Sequence, residues 1–141
     1  MFIETKHFGK IEVIEENIIN FEEGLFGFEE LKKYLYISNE DKENPFNWIQ
    51  SIENPDLAFV ITDPFIFNKE YDFYLDEAIL EKLKISKKEQ VGVYSIVVIP
   101  ENIKNMTMNL KAPIIVNIEE CRAMQVALKE DYPIKYKILE V

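Results

Sequence analysis

Short apolar segments, each ended by residues that bend the chain, are the feature of this sequence that most limits its fold. Residues 57–62 form one such segment, closed by Asp63 and Pro64, and residues 91–99, rich in β-branched side chains, form the most apolar one. Segments of this length and composition are typical of β-strands. The stretch 91–99 predicts a central strand buried on both faces, although its periodicity also allows a buried helix. The segments predicted to be strands are residues 1–6, 10–14, 17–21, 45–52, 57–62, 91–99, 112–118 and 123–128.

Helical patterns are scarce. Residues 76–84 predict one short helix, because Asp76 can cap it and Ile79, Leu80 and Leu83 recur at helical spacing. Residues 28–34 predict a further helical turn. With 141 residues and no linker or internal repeat, residues 1–141 are predicted to form a single compact, mostly β domain. The predicted architecture is an antiparallel, barrel-like fold, a partly open barrel with one short helix, with a sandwich as the alternative.

The charge balance narrows the classes of partner. The chain has 16 Lys and Arg against 26 Asp and Glu, a formal net charge of −10. Affinity for nucleic acid comes largely from Lys and Arg contacts to phosphates, so direct nucleic-acid binding is not expected. The same acidic charge repels anionic membranes. Basic or apolar protein surfaces are the partners that this composition favours.

Few residues can carry chemistry. A single histidine, His7, and a single cysteine, Cys121, cannot supply a Cys/His zinc cluster or an internal disulfide. We therefore predict no Cys/His metal site, and no motif in the sequence marks catalytic, metal-binding or cofactor-binding residues. A carboxylate-based hydrolase using Asp63 with Asp56 or Asp131 is the enzymatic alternative, but Asp63 before Pro64 is more typical of a turn. The N-terminus lacks the pattern of a signal peptide and no apolar run is long enough to span a membrane, which predicts a soluble cytoplasmic protein.

Aromatic residues are concentrated in predicted loops. Residues 21–28 place large apolar groups around Gly24 and Gly27, and residues 63–67 and 71–74 are similar. Most such rings belong to a core, but those exposed on loops can anchor a protein partner. The G-x-x-G spacing of residues 24–27 also occurs in RNA-binding KH domains, but here it is flanked by glutamates. The loops therefore favour a binding protein over an enzyme.

Several motifs, in this order and spacing, resemble those of the bacterial flagellar assembly factor FliW family along nearly the whole chain. The matching stretches are residues 21–31 (FEEGLFGFEEL), 48–51 (WIQS), 55–64 (PDLAFVITDP), 106–117 (MTMNLKAPIIVN), 122–125 (RAMQ) and 132–134 (YPI). Two positions depart from the family pattern. Phe26 stands where proline is usual, which gives the turn more freedom, and Lys135 stands where arginine is common, which removes a bidentate donor.

The resemblance implies a mostly β, barrel-like fold with no catalytic activity and no cofactor. It also implies two protein partners, flagellin and the RNA-binding translational regulator CsrA. Members of the family bind CsrA and relieve its repression of flagellin translation, and free flagellin competes for the same protein. We place the partner-binding surface at the aromatic loops; its predicted residues are Leu25, Phe26, Asp63, Phe65 and Phe67. The alternative is a small-molecule or generic protein-binding β module.

Overall fold

The strands and helices follow the short apolar segments of the sequence. The computed structural model describes residues 1–139. The strands are β1 (Phe2–Thr5), β2 (Gly9–Glu12), β3 (Ile18–Phe21), β4 (Lys33–Ile37), β5 (Phe46–Ser51), β6 (Ala58–Thr62), β7 (Val91–Val98), β8 (Thr107–Met108), β9 (Ile114–Asn117), β10 (Arg122–Gln125) and β11 (Tyr136–Lys137). The single α-helix of the described residues is α1 (Glu77–Lys82), and 3-10 turns cover Glu15–Asn17, Pro64–Ile66, Lys88–Gln90 and Ile103–Asn105.

Seven of these strands close into a barrel. Their order is β7-β6-β5-β4-β3-β10-β9, and β9 returns to pair with β7. Neighbouring strands are antiparallel except β3 and β10, which run parallel. Strand β7 also connects the barrel to the short strands β8 and β11. Along one edge of β7, Val91–Tyr94 pair with β9, and Val97 and Val98 pair with β8. Closure pairs the backbone groups of these strands around the whole ring, so the barrel has no free edge.

Successive side chains along the barrel strands point alternately into the barrel and out of it, and they form two hydrophobic clusters. The lumen cluster fills the inside of the barrel, since all seven barrel strands contribute to it. The outer cluster covers the outer face of β6, β7, β9 and β10 with α1, β8 and β11. In β9, for example, Ile114 and Val116 belong to the lumen cluster and Ile115 to the outer cluster. The buried lumen residues are Phe21, Leu25, Tyr34, Ile49, Ile61, Ile114, Val116 and Ala123.

The fold class is confirmed: the chain is a mostly β, single compact domain with a barrel and one short helix. The barrel is closed, where a partly open one was expected, because β9 pairs with β7. The helix begins after Asp76, whose carboxylate accepts a hydrogen bond from Ile79 N, as the sequence predicted. Among residues 1–139, no helix has both the length and the apolar composition that crossing a membrane requires.

Two local predictions are wrong. Phe28 forms an isolated β-bridge with Leu25, residues 29–30 form a turn and Lys33 already begins β4, so residues 28–34 are not helical. Strand β7 is central, but it is not buried on both faces, since its first residues are half-buried and Val98 is exposed. The half-buried residues of β7 include Tyr94, which lies at an opening of the barrel.

Candidate functional site

The first loop, residues 22–32, closes one end of the barrel. Leu25 points into the lumen cluster and is 1% exposed. Gly24 permits this insertion, because its φ of +69° suits glycine and a Cβ there would lie 2.6 Å from the Cα of Glu29. The Gln125 side chain holds the turn, accepting a hydrogen bond from Phe26 N at 2.9 Å. Leu25 was predicted as a partner contact; the structure corrects this and places it in the core.

The same loop leaves two rings at the surface. Phe26 is 53% exposed, and Phe28 is also exposed while its ring packs edge-on against Phe59 at 5.2 Å between centroids. Because the backbone of Phe26 is tied to Gln125, its ring projects from a fixed turn. An exposed aromatic ring on a fixed backbone has little entropy to lose on binding, which suits a contact residue.

The second loop, residues 63–67, is a capped 3-10 turn. The Asp63 carboxylate accepts a hydrogen bond from Phe65 N at 2.9 Å, which confirms Asp63 as a turn former. Phe67 is half-buried and stacks on Phe46 at 5.9 Å between ring centroids. Phe65 is 38% exposed and packs against Tyr71. Phe65 and Asp63 are thus open to solvent, whereas Phe67 is largely part of the outer cluster.

Topology places the two loops at opposite ends of the barrel. Strand β3 ends at the first loop and β6 ends at the second loop. The strands β3 to β6 are antiparallel in succession, so β6 ends where β3 begins. The predicted residues therefore do not form one surface: Phe26 lies at one end, and Asp63, Phe65 and Phe67 lie at the other.

A cavity of about 390 Å³ opens at the end of the barrel opposite the first loop. We call it the barrel mouth. The Tyr36 and Tyr94 rings lie 6.0 Å apart on its wall, and Ile118 beside them is 53% exposed. Its lining residues are Asn17, Ile19, Phe21, Tyr36, Ile49, Ile61, Tyr94, Ile114, Val116, Ile118 and Cys121. The barrel interior is thus filled at the first loop and open at the mouth.

The two tyrosines keep this wall uncharged. Burial, and secondarily Tyr36 and the Asp63 carboxylate, raises the pKa of Tyr94, and burial raises the pKa of Tyr36. A raised pKa means that both hydroxyls stay protonated at neutral pH and well above it. The lining of the mouth is therefore mainly aliphatic and aromatic, with two uncharged tyrosine hydroxyls.

Sequence reasoning missed the mouth, although one residue carries a signal for it. A Cβ at Gly92 would lie 3.3 Å from Ile118 Cγ2 and 3.3 Å from Tyr94 Cε2. The glycine in β7 therefore lets these two side chains pack closely against the strand, and an isolated glycine in a strand often marks such an approach. Which side chains approach cannot be read from the sequence, because it depends on the pairing of β7 with β9.

The remaining chemical candidates are isolated. His7 is exposed in the turn between β1 and β2, next to Phe8. Cys121 is half-buried at the mouth, with its Sγ 3.6 Å from the Glu16 carbonyl oxygen. Within residues 1–139, no group of three or more His, Cys, Asp or Glu side chains is arranged to hold a metal ion. The geometry thus offers apolar contact surfaces, at Phe26, Phe65 and the mouth.

Comparison with known proteins identifies the family. The family model described as FliW protein matches residues 2–138. The flagellar assembly factor FliW of Caldanaerobacter subterraneus subsp. tengcongensis is 49% identical in an alignment that covers 99% of this chain and 94% of that protein. The corresponding protein of Alkaliphilus metalliredigens is 47% identical, over 99% of this chain and 87% of its own length. A crystal structure of the flagellar assembly factor FliW matches with a TM-score of 0.92 and 34% identity, covering 100% of this chain and 99% of that one. This chain therefore belongs to the FliW family of flagellar assembly factors.

Proposed function

We propose that this protein is a non-enzymatic, cytoplasmic flagellar assembly factor that binds flagellin and the translational regulator CsrA. Family membership over nearly the whole chain is the observation that carries the proposal. Binding of CsrA relieves its repression of flagellin translation, and free flagellin competes for the assembly factor. Export of flagellin then frees the factor to capture CsrA, so the switch needs only competing affinities and mass action.

The charge of the protein supports the CsrA half of the proposal. CsrA binds RNA and therefore needs a basic surface, whereas this chain has a net charge of −10. A strongly acidic body docked beside that surface repels RNA by like-charge repulsion. Such repulsion is screened by salt, so antagonism of RNA binding is expected to weaken markedly as ionic strength rises.

The exposed rings support the flagellin half. The terminal segments of flagellin that pack into the filament core are amphipathic helices, whose apolar faces need cover before export. Phe26 and Phe65 are the predicted aromatic contact residues that the fold leaves exposed. Because they lie at opposite ends of the barrel, substituting each one separately asks which end flagellin covers.

The test of the switch uses CsrA from the same organism, bound to labelled flagellin leader RNA. This protein is titrated in, with and without flagellin, while RNA release is measured. Release that flagellin prevents supports the proposal. If RNA stays bound although flagellin binding is measured directly, the protein acts as an export chaperone alone; binding to neither partner contradicts the proposal.

The flagellin surface is tested with the variants Phe26→Ala and Phe65→Ala. Phe2→Ala is the matched control, since Phe2 is also an exposed ring and lies in the β1–β2 hairpin, outside both loops. We expect at least one loop variant to weaken flagellin binding while its melting temperature stays near that of the parent. Equal binding by all three variants would contradict a flagellin surface at these rings.

A small-molecule binding module is the second candidate, and the barrel mouth favours it. A cavity of about 390 Å³ with mostly apolar walls falls within the size range of ligand pockets, roughly 300–1,000 Å³. A thermal-shift assay with a neutral apolar compound such as dodecanol tests this candidate. A saturable rise in melting temperature that fails when Ile118 is made acidic would support it.

A further inference from the structure

We propose that the barrel mouth is a docking site for a basic protein segment, which inserts an apolar side chain into the cavity and pairs its Lys or Arg residues with glutamates at the rim. The proposal does not depend on which protein supplies that segment. It therefore stands or falls separately from the binding of flagellin and CsrA.

The closed barrel provides a cavity that can receive an apolar side chain; we call this cavity inside the barrel mouth the socket. Closing seven strands leaves an interior that side chains must fill. Leu25 of the first loop, with Phe21 of β3 and Tyr34 of β4, fills the end at that loop. At the opposite end the inward residues are Ile19, Ile61 and Val116, which leave a cavity of about 390 Å³. One large apolar side chain with its neighbouring backbone suits a socket at the lower end of the ligand-pocket range.

The edge of the socket is apolar and open to solvent. Ile118 is 53% exposed and Tyr36 is 41% exposed, and both line the cavity. Because Gly92 has no side chain, Ile118 and the Tyr94 ring can pack closely against β7. This apolar edge is therefore part of the packing of the barrel. Contiguous exposed apolar groups around a concave site are typical of an interaction surface.

The rim beside this edge is acidic. Glu15 and Glu16 precede the lining residue Asn17, and Glu119 and Glu120 stand between the lining residues Ile118 and Cys121. The two segments touch, since Cys121 Sγ lies 3.6 Å from the Glu16 carbonyl oxygen. Within residues 1–139 none of these four carboxylates forms an ion pair. They can therefore pair with cations from a partner.

The negative charge of the rim favours a basic segment over an anionic ligand. The carboxylate of a fatty acid, or a phosphate group, would lie beside like charges at this rim and is disfavoured. A basic segment places its cations against the side formed by residues 15–17 and 118–121. Residues 84–90, which adjoin Ile118 through a hydrogen bond from Ile118 N to the Gln90 carbonyl at 2.8 Å, carry three lysines and one glutamate. The segment is therefore expected to lie along the glutamates of residues 15–16 and 119–120, away from these lysines. An apolar anchor with flanking cations is the chemistry that matches both the socket and its rim.

The probe is a 14-residue amphipathic peptide of Leu and Lys, with a Leu and Glu peptide and dodecanol as comparisons. Two readouts locate binding: amide chemical shifts in the ¹⁵N-labelled protein, and the rate at which N-ethylmaleimide alkylates Cys121, the single cysteine of the chain. Cys121 lies at the mouth and is half-buried. The Leu and Lys peptide is expected to shift Gly92, Ile118 and Cys121 and to slow alkylation several-fold.

Two pairs of variants distinguish binding at the mouth from non-specific electrostatic or hydrophobic binding elsewhere on the surface. Ile118→Asp is compared with Ile103→Asp, since both side chains are exposed and Ile103 follows the far end of β7. Glu119→Lys with Glu120→Lys is compared with Glu22→Lys with Glu30→Lys, an equal change of charge on the first loop. The mouth variants are expected to weaken peptide binding roughly tenfold, whereas the controls leave it nearly unchanged.

The outcomes decide the proposal. Equal losses in mouth and control variants, or shifts located away from Gly92 and Ile118, overturn it. Binding of dodecanol at the mouth without binding of the Leu and Lys peptide also overturns it and makes the mouth a small-molecule pocket. If Ile118→Asp fails to fold, the charge-reversal pair answers the question alone. Flagellin and CsrA binding, measured on the same variants, keeps the proposed function under a separate test.

Discussion

The two aromatic loops have similar sequences but different relations to the core. Each places phenylalanines beside residues that bend the chain, Gly24 in the first loop and Pro64 in the second. The first loop turns inward and inserts Leu25 into the barrel, whereas the second loop packs Phe67 on the outside of the barrel against Phe46. The pattern of aromatics beside Gly or Pro thus marks a loop, and tertiary packing decides which of its side chains is buried.

Each loop also lies over a buried tyrosine, and these two tyrosines differ. Under the first loop, Tyr34 packs against Phe21 at 5.1 Å between ring centroids, and its hydroxyl has no hydrogen-bond partner among the described residues. Under the second loop, Tyr71 donates a hydrogen bond to the Leu110 carbonyl at 2.7 Å. Tyr34 therefore supports the first loop by ring packing alone, whereas Tyr71 also contributes a buried hydrogen bond beneath the second loop.

The largest effect is expected from Leu25→Ala. Removing a fully buried leucine costs its transfer free energy and leaves a cavity, about 2–5 kcal/mol of the free energy of unfolding. Phe67→Ala is expected to cost less, since Phe67 is only half-buried. Urea unfolding of both variants, with unchanged m-values, measures the difference. A cost for Phe67→Ala equal to or above that for Leu25→Ala would contradict the assignment of Leu25 to the core.

The next effect concerns the backbone of the first loop. In Gly24→Ala the new Cβ would lie 2.6 Å from Glu29 Cα and 2.7 Å from Glu29 O, whereas Gly27→Ala places a Cβ with nothing within 4 Å. Both glycines have positive φ, so both variants lose about 1–2 kcal/mol from backbone strain. Gly24→Ala is expected to lose about 1–3 kcal/mol more from overpacking. Equal melting temperatures of the two variants would show that the first loop does not make the close approach.

The sequence predicts most elements of the fold but not how the strands pair. Patterns of β-branched residues located most barrel strands, and the charges at Asp76 and Lys82 located the helix. Strands β8 and β11, of two residues each, are too short to show a period, and β4 was obscured by charged neighbours. Closure of the barrel depends on which strands pair, which no local pattern encodes.

The candidate site was predictable only in part for the same reason. The sequence predicts loop positions for Phe26, Asp63 and Phe65, because bend-forming residues flank them. Their exposure follows from tertiary packing, since Leu25 and Pro64 are buried beneath them. The mouth joins β3, β4, β7 and β9, which are far apart in the chain. Its residues are ordinary strand residues in sequence, so their shared opening is visible only once the barrel is closed.

The two buried tyrosines predict a smaller difference. Tyr71→Phe removes the donor to Leu110 O and is expected to cost about 1–3 kcal/mol, because the buried carbonyl is left unpaired. Tyr34→Phe removes a hydroxyl that has no hydrogen-bond partner within residues 1–139 and keeps the ring, so its free energy of unfolding is expected to stay the same or rise slightly. Chemical denaturation at pH 7 measures both. A larger loss in Tyr34→Phe would show that its hydroxyl is bonded in solution.

Alkaline pH sharpens the same comparison. Burial, and secondarily the Glu53 carboxylate, raises the pKa of Tyr34 from the model-compound value of 10.0 to about 12. The unfolded chain therefore loses this proton near pH 10 while the folded protein keeps it, so the free energy of unfolding falls as pH rises from about 10 to 12. In Tyr34→Phe this contribution is absent, and the fall is expected to be shallower than in the parent. Parallel curves for the two proteins would contradict a buried, protonated Tyr34.

The smallest effects are expected from the exposed rings themselves. Phe65→Ala removes contact with Tyr71 from a side chain that is 38% exposed, which is expected to cost about 1 kcal/mol. Phe26 is 53% exposed and its backbone bond to Gln125 does not involve the ring, so Phe26→Ala is expected to stay within about 0.5 kcal/mol of the parent. Thermal and urea unfolding of both variants check this order. Because Phe26→Ala removes a ring while leaving its loop in place, a loss of partner binding in that variant reports a lost contact and not a lost fold. A cost above that of Phe65→Ala would instead show that the ring supports the insertion of Leu25, and the first loop would then be a structural plug without a free contact surface.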